Sequence, residues 1–590
     1  MKTPKLAIKP FMDDLSSFCD DLSPEQLKQV ILGLAKTVPA HDRGDFVETV
    51  KLTIQDPRKA VKPNRLPVED LVSEIHALKE NIASRIEAIE DGSYWDAPDE
   101  YDEDWDDHYD DDQYRYDDEP ESLSENQIQE LTSLFGQAEA LFLDDRIEDA
   151  RTAYAALFDI VEAFQEEMDE FVADAVDIRE ARAQFCRSVY ETTKPGERPD
   201  AVAAAMDIDL RHPFHDQARF DRSRPMMQDV IDAKTDEMKD LDGFFKAWRK
   251  LLEKRWAQHR PARLLLEAVH HLSGVEGVSG LARKWQDKQP AGYQFWLDIL
   301  KEHADSKEII GVSLEALGAL KQGDAKRTVA EVLMDAAAAA GDAPRLLEGR
   351  RERFFARPDG RSLLAWTAEA ARQEVRSDEL DKAIQFLLSC KSRNPDQEGL
   401  LVKCLLMAGR LEDAFQRVKS EKGVGWSYRS SAGVVFGAVL SAICRQAEKA
   451  ATVQAVFRGY ANGRSTPVYG DPRDPGADTR FDAEIVAGLK AAGLTAQKRH
   501  EYLSWAEEIG KRRIDHIVSN KHRNAYERAA QVLCALVETY LIRNRDDHAF
   551  GMLRHFCREK YNRFSAFKSE VAAVMAASPL LKNMDLKKLP

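Results

Sequence analysis

The chain has 590 residues, enough for roughly three to five domains at the usual 100 to 200 residues each. Apolar residues make up 43% and charged residues 32%, which provides for both a sizeable core and a well-solvated surface. The formal charge of −19 argues against a general nucleic-acid binder, because neutralising phosphates takes an excess of Lys and Arg. Thirty glycines and 23 prolines are about 9% of the chain, below the usual combined ~12%, which favours long helices and short turns.

The acid is concentrated. Residues 91 to 120 hold fifteen Asp or Glu and one Arg, a net −14, so the other 560 residues carry only −5. The first ten residues, Met1-Lys-Thr-Pro-Lys-Leu-Ala-Ile-Lys-Pro10, lack the apolar core of a signal peptide. The longest largely apolar stretch, Val434 to Cys444, spans 11 residues, short of the ~20 a bilayer requires. Seven cysteines (19, 186, 390, 404, 444, 534 and 557) are scattered without a CxxC pair and read as reduced core thiols. The expectation is a cytoplasmic protein.

In chain order, Ser23 with Pro24 and Gln26 forms a capping box, and Leu27, Val30, Ile31, Leu34 and Ala35 then recur on one helical face. Leu71, Ile75, Leu78, Ile82 and Ile86 mark a further helix running to about Ile89. The apolar period is lost from Asp91 to Pro120. A second capping box, Ser124 with Gln127, restarts it, and Asp144-Asp145-Arg146 turns the chain into a helix bearing Ala150, Tyr154, Leu157 and Phe158. Four prolines (195, 199, 213 and 225) interrupt the next stretch, with room for a short helix near Val202 to Met206.

Turn signals then fall at Gly323-Asp324, Gly341-Asp342, Asp359-Gly360, Ser377-Asp378, Asn394-Pro395 and Gly409-Arg410, spaced by 18, 18, 18, 17 and 15 residues. That period is one helix and a turn, repeated. A pair of such helices cannot bury its apolar stripe alone, so neighbours must stack. Ala383, Leu387, Cys390 and Pro395 match the second helix of a tetratricopeptide hairpin, and Ala414 and Val418 partly repeat the match. A second irregular stretch, Gly459 to Thr479, is rich in Gly and Pro; long loops of this kind are often functional or disordered.

Composition and period predict an all-α fold of stacked helical hairpins, a tetratricopeptide-like solenoid with a disordered acidic insert. The predicted segments are an N-terminal helical unit (1–90), an acidic aromatic-rich linker (91–121), helical hairpins (122–194) and a proline-rich connector (195–226). A helical repeat array (227–458), an irregular loop (459–479) and a C-terminal helical unit (480–590) follow.

No catalytic motif is legible. The acidic segment interleaves Tyr94, Trp95, Tyr101, Trp105, Tyr109, Tyr114 and Tyr116 among its carboxylates. It reads either as a solvated spacer or as an anionic, aromatic strip that docks a basic partner or shields a groove. Asp102, Asp104 and Asp106 fit an EF-hand start, but Asp107 stands at the Gly position and Gln113 at the Glu position. His212, His215, Asp216 and Asp221 read as polar loop residues, and adjacent His270 and His271 point about 100° apart on a helix, unsuited to one metal. Gly423-Val-Gly-Trp-Ser427 lacks the Lys-Ser or Lys-Thr of a phosphate loop.

The runs Arg350-Arg-Glu-Arg-Phe-Phe-Ala-Arg-Pro358 with Leu363-Leu364, Ile514-Asp-His-Ile-Val518, and Lys521 to Ala530 resemble the helical repeat region of bacterial SWIM zinc-finger proteins. Tyr561-Asn-Arg-Phe-Ser-Ala-Phe567 is similar to their closing helices. The CxCx(n)CxH finger is missing from this sequence, so the resemblance implies the scaffold and neither zinc nor nucleic acid. The expected function is a protein–protein interaction scaffold or adaptor with a protein or peptide partner, no cofactor, no nucleic acid and no membrane. The alternative is a regulatory subunit, or an enzyme with a site at the 459–479 loop near Arg458, Arg464, Tyr469 and Arg473.

Overall fold

The computed structural model describes residues 7–20, 22–35, 50–51, 67–91, 122–164, 176–208, 224–421, 430–444, 449–462, 480–490 and 493–584. Among these residues there are twenty-five α-helices and no strand. None of the helices is long and apolar enough to cross a membrane. The chain divides into two compact units, Met1–Trp296 and Leu297–Pro590.

In the first unit, α1 (Ile8–Asp20) precedes α2 (Pro24–Ala35), which forms as the sequence predicts, and Ser23 and Gln26 exchange the two bonds of a capping box. Their apolar stripes, however, are not core. Phe11 is 50% exposed, Phe18 57% and Leu34 57%. Periodicity gives a helix an apolar side; it does not supply the partner that would cover it.

Helix α3 (Val68–Glu90) does bury its stripe, Leu71, Ile75, Leu78 and Ile82, against α4 (Glu125–Leu143) and α5 (Ile147–Ala163). The Ser124–Gln127 capping box starts α4. The turn at Asp145 takes a positive φ of 60°, and the amide of Arg146 closes it on Leu141. Helix α6 (Ile178–Thr192) covers α5, and the short helix in the proline-rich stretch is α7 (Arg198–Ala205), four residues upstream of its expected start. Helices α8 (Met227–Asp232), α9 (Leu241–Leu252) and α10 (His259–Trp285) complete the unit, α10 breaking at Gly274, where φ is +60°. The division between the units falls inside α11 (Ala291–His303).

The second unit continues with α12 (Ser306–Ala319), α13 (Asp324–Ala340), α14 (Ala343–Ala356) and α15 (Gly360–Arg372), then α16 (Arg376–Ser389), α17 (Pro395–Met407) and α18 (Leu411–Val418). From α12 to α18 each helix packs on the next. The turn logic is mostly the predicted one. Gly341 ends α13 in the left-handed conformation, and Asp342 starts α14 by accepting from the Arg345 amide at 3.1 Å. Asp359 and Asn394 cap α15 and α17 in the same way.

One turn is misplaced by the sequence. Ser377-Asp378 lies inside α16, and the chain reverses at Gln373–Val375 instead. There Glu374 adopts φ +61° while the Val375 amide bonds Ala370. Glutamate in the position usually given to glycine leaves no turn signature.

Beyond α18 the packing is no longer sequential. Helix α19 (Ser431–Ile443) is buried on every side. It touches α17, α18, α20 (Ala451–Asn462), α21 (Phe481–Leu489), α22 (Ala496–Ser519) and α23 (Tyr526–Ile542). Its Gly433 and Gly437 let Tyr460 and Phe457 of α20 come close, the Phe457 Cα lying 2.7 Å from where a Gly437 Cβ would stand. Helices α24 (Asp546–Arg554) and α25 (Ser565–Ala577) pack on α23. All seven cysteines are free thiols, five of them buried.

Candidate functional site

The residues singled out in the sequence divide between described and undescribed segments. Tyr94, Trp95, Tyr101, Trp105, Tyr109, Tyr114 and Tyr116 lie outside the described residues. So do the Asp102–Gln113 loop, the His212–Asp221 cluster, Gly423–Ser427, Arg464, Tyr469 and Arg473. Arg458 is described, and it leads to a polar arrangement that joins two helices of the second unit.

The two helices flanking residues 463–479 are tied at their facing ends. Asn462, the last residue of α20, donates to the Asp482 carboxylate at 2.9 Å and accepts from the Asp482 amide at 3.3 Å. Arg480 donates to both Asp482 oxygens, at 3.1 and 2.8 Å, and Arg458 stands 3.7 Å away. Burial pushes the Asp482 carboxyl up, but the Asn462 and Arg480 bonds outweigh it and hold the group below its ordinary value. The carboxylate therefore stays charged and pins both ends at one point.

The next residue inward is Phe481, whose ring edge lies 3.2 Å from where a Gly360 Cβ would stand. Over its face, 4.2 Å from the ring centroid, sits the ammonium of Lys403 from α17. Burial lowers the Lys403 amine to about 8. About two helical turns along α21, Gly488 meets the backbone of the last residues of α17 and of the Gly409 turn that follows them. Arg376 of α16 also reaches α21, pairing with Glu484 at 2.7 Å.

The edges of the sequential helices carry linked ion pairs. Lys326 meets Glu352 at 3.0 Å, Arg353 meets Glu331 at 3.0 Å, and buried Glu379 accepts from Trp366 Nε1 at 2.9 Å and pairs with Lys382 at 2.5 Å. The Lys326–Glu352 and Arg353–Glu331 pairs join α13 to α14, and the Trp366–Glu379 bond joins α15 to α16, so they fix the register of neighbouring helices.

Among the described residues of the first unit, four arginines are buried: Arg182, Arg187, Arg224 and Arg260. They bond chain carbonyls and carboxylates, Arg187 reaching Asp236 O at 2.6 Å and Arg260 reaching Pro225 O at 2.8 Å. Cys186 lies among three of these guanidiniums, yet burial dominates and pushes its thiol up to about 12, so it is not a nucleophile at neutral pH. His270 and His271 face different partners, as adjacent helical residues must. His271 stacks on Phe245 at 4.2 Å and His270 approaches Phe295 at 6.5 Å. Among the described residues no group of three or more His, Cys, Asp or Glu is placed to hold a metal.

Glu267 of α10 shows how a carboxylate can make this unit pH-sensitive. Its oxygens accept the Met227 and Gln228 amides at 2.8 and 2.6 Å, holding the start of α8. Glu267 is half-buried, and burial raises its carboxyl to about 7 against the pull of those two amides. The folded chain thus holds this proton more tightly than the unfolded chain. Its contribution is fully present below the ordinary value of 4.5 and is lost as pH rises through about 7. The loss is at most about 3 kcal/mol. Glu267→Gln keeps one acceptor and cannot ionise, so a plot of melting temperature against pH should fall less steeply from about pH 5 to 7.5 than for the parent. Parallel curves would exclude this assignment.

Sequence reasoning passed over Lys403, Asp482 and Glu267. Lys403 left a trace, as the single charge in Leu400-Leu-Val-Lys-Cys-Leu-Leu-Met407. The other two look like ordinary helix-surface acids until their distant partners are known. No known protein family matches the chain, and no curated protein does.

Proposed function

We propose that the chain is a cytoplasmic protein–protein interaction scaffold or adaptor, built on tetratricopeptide-like stacked hairpins. The observation that carries the reading is the run α12 to α18, in which consecutive helices pack side by side at a nearly constant period. Such arrays present extended surfaces that bind chains. The exposed apolar faces of α1 and α2 add contact area of the kind that partners cover. The resemblance of residues 310 to 577 to the SWIM-protein repeat region agrees with this scaffold.

In this reading the acidic, aromatic strip selects a basic protein or peptide. Removing residues 91–120 should lose or weaken at least one partner recovered by affinity purification of the full chain. An unchanged partner set with unchanged affinities would remove the strip from the account. A second reading, a regulatory subunit or an enzyme with its site by residues 459–479, draws support from the low-basicity amine of Lys403 against Phe481.

A further inference from the structure

Lys403 is set apart from other lysines of the chain by what surrounds it. Lys234 meets Asp145, Glu191 and Asp236, and Lys498 meets Glu412 and Glu501; both hold their protons more tightly than usual. Among the described residues no carboxylate acts on Lys403, and its ammonium rests on the Phe481 ring. A buried ammonium without a counter-charge is costly, and the cost is relieved by giving up the proton. Part of the side chain still reaches the surface.

We propose that Lys403 is an amine modification site, acylated at Nζ by small activated acyl donors of the acyl phosphate class. The Nζ lone pair attacks the acyl carbon, and the bond from that carbon to the phosphate oxygen breaks. Inorganic phosphate leaves with the electron pair, and the nitrogen releases one proton to water. The product is an uncharged amide lying against Phe481, so the reaction removes the isolated charge that burial penalises. With its amine near 8, about a quarter of Lys403 is unprotonated at pH 7.5, against about 0.1% of an ordinary lysine. Lower basicity and confinement each take back part of that advantage.

The test uses the full chain and acetyl phosphate, with acetylation at each lysine followed by mass spectrometry. Exposed Lys391 and Lys490 serve as internal standards. At about pH 7.5, Lys403 should acetylate at least about fivefold faster than either. Its rate should be half-maximal near pH 8, and the lead should vanish in concentrated urea. A folded-state rate at or below that of the standards, or a lead that survives urea, overturns the proposal.

Discussion

Replacing Gly488 with alanine is expected to lower the stability of the second unit by about 3 kcal/mol or more, or to leave it unfolded. The added Cβ would stand 2.1 Å from Met407 O, 2.6 Å from Met407 C and 2.8 Å from Leu406 O. All three are backbone atoms, so no rotamer change makes room and α17 must part from α21. Gly409 meets the same crossing from the other side, with φ +73° and its Cβ position 2.8 Å from Gly488 O. Gly551→Ala is the control, since nothing lies within 4 Å of its Cβ position inside helix α24. That change should be neutral or stabilise by up to about 1 kcal/mol. Urea midpoints read by tryptophan fluorescence decide; a Gly488→Ala midpoint equal to the parent's would show that the helices do not cross at this spacing.

Glu538→Ala should cost about 3–5 kcal/mol, because it strips acceptors from four buried donors at once. Glu538 is completely buried in α23. Its carboxylate accepts the Thr452 amide at 3.2 Å and hydroxyl at 2.8 Å, the Val453 amide at 3.0 Å and the Ser578 hydroxyl at 2.6 Å. It thus caps the start of α20 with a side chain from another helix, as Glu267 does for α8. Negative charge at a helix start also suits the dipole. Glu538→Gln keeps one acceptor but turns an NH2 toward an amide donor, and should fall between the two, about 1–3 kcal/mol below the parent. Hydrogen exchange at Thr452 and Val453 gives a local readout. A loss below about 1 kcal/mol for the alanine variant would mean that water replaces the carboxylate.

What the sequence made legible was local. The capping boxes at Ser23 and Ser124, the Gly341-Asp342 turn and the helix of Leu71 to Ile82 follow from short-range rules. Whether a stripe finds a partner is a tertiary question: Leu71 is buried and Leu34 is exposed, although both sit on clear helical faces. The Glu374 turn escaped notice because its backbone took a conformation its residue type does not advertise. The polar sites were hidden for a third reason. Glu538 bonds residues 86 and 40 positions away, and Asp482 closes on Asn462 across the Gly- and Pro-rich stretch. Lys403 leaves a trace in one dimension, a single charge in an apolar run, although sequence reasoning passed over it.

The all-round burial of α19 also governs the order in which the second unit can be assembled. Its Cys444 end reaches Thr539, 95 residues later in the chain, and α22 and α23 complete its cover. At about 5–20 residues per second, a ribosome takes on the order of 5 to 20 seconds to deliver that cover. During that interval Val434, Val435, Phe436, Val439 and Leu440 have α17, α18 and α20 to pack on, but their cover is incomplete. The central helix of the finished unit is therefore its most aggregation-prone segment during synthesis, and nascent chains ending between α19 and α23 are where a chaperone would be needed most.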